Sequence, residues 1–168
     1  CNCFGNVSLI DENTGVKDIP AQNSRKEVFE FAEQELKAVA GEVAGNNEVL
    51  CDPKTALYGH VDKVAAWFLL SRMYLNAETW IGTDRYADCY TYAKRIITSN
   101  TYPLASDYRH IFLADNETCP EIIWPLVQDG QMAQSSAGTN FYVKAFVNGP
   151  MDELYKTGVG SRGWGNVR

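Results

Sequence analysis

The feature that most constrains this chain is the stretch from Val61 to Pro103, where apolar residues recur at helical spacing on both sides of a glycine break. Trp67, Leu70 and Tyr74 mark one face of a helix. Leu57, Val61, Val64, Ala65, Phe68, Arg72 and Leu75 mark another. A helix with two apolar faces packs on two neighbours, so it belongs inside a helical stack. Asp52-Pro53 supplies a start signal for it, because Asp suits the N-cap and Pro the first helical position. Gly82-Thr83-Asp84 breaks the pattern and caps a further helix from about Arg85 to Ser99. Its expected buried face is Tyr86, Cys89, Tyr90, Ala93, Ile96 and Ile97, with Asn100 as a left-handed cap and Pro103 blocking continuation.

An earlier helix begins at Ser24. Ser24-Arg25-Lys26-Glu27 is a capping box, followed by Val28, Phe31, Ala32, Leu36 and Val39 at helical spacing, and Gly41 and Gly45 end it. Residues 1–23 read as irregular, with a short strand possible at Val7, Leu9 and Ile10. Beyond Pro103 the character changes. Asp107 to Phe112 reads as one helical turn, and Glu121-Ile122-Ile123-Trp124, between Pro120 and Pro125, as a short edge strand. Phe141-Tyr142-Val143 is a second strand candidate. Residues 128–140 and 156–168 are rich in Gly, Ser, Gln and Asn and read as loops. The expected fold is mainly α, with a helical scaffold over 24–103, loop-rich decoration over 104–168, and a few short strands.

Composition excludes several functions. Charged residues make up 21% of the 168, and the formal net charge is −6 without a Lys/Arg cluster, so a nucleic-acid partner is not expected. The five Cys are scattered, which argues against a disulfide framework, and the two His have no Cys at metal-ligand spacing. No apolar run reaches the length of a membrane span. Gly158-x-Gly160-x-x-Gly163 spells a dinucleotide fingerprint but lacks the strand, helix and acid that give it meaning. Asp11-Glu12 and Asp152-Glu153 are adjacent acids that do not face each other across a substrate, and no nucleophile has a base beside it. The chain therefore reads as a non-enzyme with no metal and no cofactor.

One loop has the composition of a sugar site. Sugars present apolar C–H faces and many hydroxyls, so their sites combine an aromatic platform with hydrogen-bonding side chains. Arg162-Gly163-Trp164-Gly165-Asn166 offers Trp164 as platform, with Arg162 and Asn166 beside it. Asn140, Tyr142 and Tyr155 are further ligand-binding candidates.

Two resemblances follow. Trp67-x2-Leu70-Ser71-x2-Tyr74, with Tyr86, Cys89, Ala93 and Ile96, resembles a tetratricopeptide unit, although the connection from Asn76 to Asp84 is longer than the usual tight turn. Several further segments are similar to those of SusD/RagB-like nutrient-uptake lipoproteins of Bacteroidetes, in the family's order over nearly the whole chain. They are Phe4-Gly5-Asn6-Val7-Ser8-Leu9 (Ser8 replacing the family's Pro), Val64-Ala65-Ala66 through Tyr74-Leu75-Asn76-Ala77-Glu78, Arg85-Tyr86-Ala87-Asp88 through Ala93-x-x-Ile96-Ile97, Tyr102-Pro103-Leu104, Asp107-Tyr108-x-x-Ile111-Phe112, Asn116-Glu117, Glu121-Ile122-Ile123-Trp124 and Gly163-Trp164-Gly165-Asn166-x-Arg168. The resemblance implies a tetratricopeptide-like scaffold and non-catalytic binding of an oligosaccharide or polysaccharide at the cell surface. It implies delivery to a SusC-like TonB-dependent transporter, and an outer-membrane location through a lipid anchor outside this sequence. It also implies an internal fragment, residues 1–168 of a longer SusD-like domain lacking the family's N- and C-terminal parts, in which Cys1 is not the lipidated residue. A tetratricopeptide-like adaptor for protein partners is the competing expectation.

Overall fold

The computed structural model of the chain describes residues 3–10, 13–15, 19–46, 49–113 and 115–127. The chain divides into two compact units, Cys1–Pro125 and Leu126–Arg168. In the first, four helices succeed one another: α1 Arg25–Val39, α2 Lys63–Leu75, α3 Ala77–Ile81 and α4 Tyr86–Ser99, followed by short 3-10 turns at Tyr108–Phe112 and Asn116–Thr118. The fold is mainly α.

Helix α1 starts as its sequence dictates. The Ser24 hydroxyl accepts from the Glu27 amide, and the Glu27 carboxylate accepts from the Ser24 amide at 2.7 Å. Residues 6–9 are tied to this start. The Asn23 amide donates to the Val7 carbonyl at 3.0 Å, and the Arg25 amide donates to the Asn6 side chain at 2.9 Å. Where a short strand was expected at Val7 to Ile10, one antiparallel bridge between Val7 and Asn23 forms instead. The buried residues of α1 are Val28 and Phe29, and Phe31, expected inside, is 44% exposed. Phe29, Glu33, Leu36 and Ala40 share the inward stripe, and the charge on Glu33 obscured it in the sequence.

Helix α2 begins ten residues later than Asp52-Pro53 suggested. Its N-cap is Asp62, whose side chain accepts from the Val64 and Ala65 amides. An earlier start is blocked by the backbone. Lys54 and Gly59 lie in the left-handed region, at φ 61° and 86°, which no α-helix accommodates. Leu57 and Val61 therefore sit in a loop, with Leu57 exposed. The loop closes on itself, since Cys51 bridges Asp62 and the Lys63 amide donates to the Cys51 carbonyl at 3.1 Å.

The first turn of α2 is buried all round, at Val64, Ala65, Ala66 and Trp67. Beyond it one face is sealed, with Leu70 and Tyr74 buried and Phe68, Leu69 and Leu75 exposed. The sealed face packs most extensively against α4 and next against α1. On α4 the buried residue is Tyr92, flanked by half-buried Cys89, Ala93 and Ile96. Tyr86, Tyr90 and Ile97, expected inside, are exposed because the inward stripe runs 85, 89, 92, 96. Tyr92 stacks on Tyr74 with ring centroids 5.6 Å apart, and Phe29 meets Tyr74 from the other side at 6.4 Å. Gly82, at φ 72°, ends α3, and Asn100, at φ 49°, ends α4 as expected.

Residues 121–124 form a turn and bends rather than the expected strand. Prolines at 120 and 125 remove backbone donors at both ends, and Glu121 points back instead to accept from the Ala105 amide at 2.9 Å. The strand expected at 141–143 lies outside the described residues. No described helix is long and apolar enough to cross a membrane.

Candidate functional site

A half-open cleft of about 290 Å³ lies between the closed loop 54–60 and the segment 117–125. Its floor is Tyr102, just beyond α4. Leu57, Tyr58 and His60 come from one side, and Glu117, Pro120 and Ile122 from the other.

Asp62 fixes the floor. It is 1% exposed, yet every oxygen is used. One accepts from the Val64 amide at 2.8 Å and the Ala65 amide at 3.3 Å. The other accepts from the Lys54 amide at 2.8 Å and the Tyr102 hydroxyl at 2.6 Å. A buried carboxylate survives only with such a set of donors. Burial and the Asp62 carboxylate push the Tyr102 phenol well above its ordinary range, so it stays a donor and does not serve as a base. The Lys54 ammonium lies 5.8 Å from the Tyr102 ring centroid and donates to the Thr101 carbonyl at 3.3 Å. On the far wall, Thr118 donates to the Asp115 carbonyl at 2.9 Å and lies 3.0 Å from the His110 ring.

A second polar cluster lies among the helices. Glu33 of α1 accepts from Lys37 at 2.6 Å, Tyr74 at 2.7 Å and Arg85 at 3.1 Å. The Arg85 guanidinium sits 4.7 Å from the Tyr74 ring centroid and pairs with Asp88. Burial works against the Glu33 charge, but the three donors outweigh it and draw the carboxyl down to about 2. Burial and the same carboxylate push Tyr74 up. Both shifts carry Glu33 and Tyr74 away from neutrality, where acid–base chemistry works. The cluster clamps α1, α2 and the entrance to α4 together. Among the described residues, no three His, Cys, Asp or Glu side chains gather as metal ligands.

The ligand-binding candidates named from the sequence, Asn140, Tyr142, Tyr155, Arg162, Trp164 and Asn166, lie outside the described residues. The cleft is hidden in the sequence, where its walls have the signals of a helix start and a strand. The available signal was the turn chemistry of Tyr58-Gly59-His60 and the proline pair at 120 and 125.

No protein-family model matches the chain. Among curated proteins it is similar to the starch-binding protein SusD of Bacteroides thetaiotaomicron, at 32% identity over 130 residues, which covers 75% of this chain. The chain spans only 22% of that relative's length. With that similarity over three quarters of its length and a mainly helical fold whose central hairpin buries Trp67, Leu70 and Tyr74, the chain belongs to the SusD-like family.

Proposed function

We propose that this chain takes part in the non-catalytic capture of an oligosaccharide or polysaccharide nutrient at the cell surface. The captured glycan passes to a SusC-like TonB-dependent transporter in the outer membrane, to which the intact protein is held by a lipid anchor. The observation that carries this reading is the similarity to a starch-binding protein over 75% of the chain.

Physical chemistry supports it. The net charge of −6 disfavours polyanionic partners such as nucleic acids. A helical body in which α1 and α4 pack on α2 suits a support that presents recognition elements on loops. In this reading Trp164 is the platform for a sugar ring, Arg162 and Asn166 meet its hydroxyls, and Asn140, Tyr142 and Tyr155 extend the contact.

A binding screen of the intact, unlipidated protein against a panel of polysaccharides tests the proposal, with Trp164→Ala beside wild type. The expected result is saturable binding to at least one glycan, weakened about tenfold by loss of the indole. Binding retained in the variant keeps the capture role and removes Trp164 as platform. Absence of binding to every glycan favours a tetratricopeptide-like adaptor for a protein partner.

A further inference from the structure

We propose that the cleft between residues 54–60 and 117–125 is itself a sugar pocket, gripping one or two neutral pyranose units of the captured glycan. The inference rests on the glycan-capture reading and adds a site to it.

The size of the cleft is the first argument. About 290 Å³ lies just below the ~300–1,000 Å³ range of ligand pockets, too little for a long apolar ligand and enough for a ring or two. The second argument is what its polar groups are doing. Lys54, Tyr102 and Thr118 already have partners and hold the floor and wall in place. Tyr58, His60 and Glu117 line the same space, and no hydrogen bond engages their side chains among the described residues. They provide a hydroxyl, an imidazole and a carboxylate, which between them donate to and accept from sugar hydroxyls.

Charge narrows the ligand further. Lys54 and Glu117 place opposite charges on opposite sides of the cleft. A phosphorylated or uronic ligand meets Glu117, and a cationic one meets Lys54, so the balance favours an uncharged polar ligand. The apolar surface is also of the right kind. Pro120, Pro125 and Ile122 line the cleft with apolar surface for C–H faces, and the Tyr58 ring, 55% exposed, lines the same space. Finally, the floor is set in advance. Asp62 accepts from the Lys54 backbone amide at 2.8 Å and the Tyr102 hydroxyl at 2.6 Å, so a ligand need not order the loop at Lys54 or the Tyr102 ring.

The test is calorimetric titration of the intact, unlipidated protein with maltoheptaose, cellohexaose and xylohexaose, using wild type, Tyr58→Ala, Ala56→Trp and Trp164→Ala. Tyr58→Ala removes the ring, and Ala56→Trp fills the space with an indole. Each is expected to weaken binding of whichever oligosaccharide wild type takes by about tenfold, with the thermal unfolding midpoint unchanged. Tyr58 is exposed and makes no hydrogen bond among the described residues, so Tyr58→Ala remains decisive even if Ala56→Trp fails to fold. Wild-type affinity in the folded cleft variants overturns the pocket while leaving glycan capture standing. Wild type that binds none of the three oligosaccharides overturns the pocket, and the polysaccharide screen then decides the capture reading separately.

Discussion

The α2–α4 hairpin and the cleft beside it meet at Asp62, yet different forces hold them. The hairpin is cemented by apolar burial. Val64, Leu70 and Tyr74 are fully buried, and the charged groups around them, such as Glu33 and Arg85, are consumed by one another. The cleft has little apolar burial of its own. Leu57 is 76% exposed and Tyr58 55%, and the walls are held by backbone turns, two prolines and single hydrogen bonds. The hairpin therefore carries stability with little spare chemistry. The cleft carries spare chemistry with little stability. A scaffold and a recognition surface need this division, because a side chain that satisfies its neighbours completely has nothing left for a ligand.

The comparison can be pressed hardest at Leu70. Leu70→Ala opens a hole in the hairpin and is expected to cost about 2–5 kcal/mol in denaturant unfolding of the intact protein, with glycan affinity of the folded fraction unchanged. An affinity loss in that fraction would show that the two regions are not separable. Asp62→Ala comes next, at about 2–3 kcal/mol, from the lost cap and the stranded Tyr102 hydroxyl. It is the change expected to reach both regions, lowering the unfolding midpoint and loosening the cleft floor.

The smallest effect is at Glu33. Its carboxyl is held at about 2 in the folded protein against an ordinary 4.5. A depressed carboxylate contributes stability that is fully present above its ordinary value and is lost as pH falls toward its folded one. Wild type should therefore lose stability between about pH 4.5 and 2, and Glu33→Gln should show a shallower slope there. At pH 7 the variant should be weaker by about 1 kcal/mol, read by thermal melts across pH. An identical acid slope in the variant would mean that the clamp contributes nothing to the hairpin.

The two regions also differed in how far the sequence revealed them. The hairpin advertised itself, because Trp67, Leu70 and Tyr74 keep the 3.6-residue period and Asn100 is one of the few residues that takes a left-handed cap. The Ser24 capping box was equally legible, since all its partners lie within four residues. Errors arose where a long-range contact outvoted a local signal. Asp52-Pro53 reads as the helix start, whereas the cap is Asp62, whose carboxylate also accepts from the Tyr102 hydroxyl forty residues away. Phe31 and Phe29 are equally apolar, but only the position of Glu33 relative to Arg85 shows which side faces in. The cleft was hidden for the same reason. Its walls come from segments some sixty residues apart, and no periodicity joins them.

The closed loop from Cys51 to Lys63 has a consequence for how such a chain can vary. It leaves and returns at one point, sealed by a backbone hydrogen bond of 3.1 Å, and it engages the α2 cap through the Lys54 amide, so the tip beyond Lys54 is set apart from the helix. Doubling the length of a loop of this kind costs only about 0.6 kcal/mol in closure entropy. The residues around Tyr58 can thus be lengthened, shortened or exchanged while the helices keep their register. The chain is built like a tool handle with an interchangeable tip.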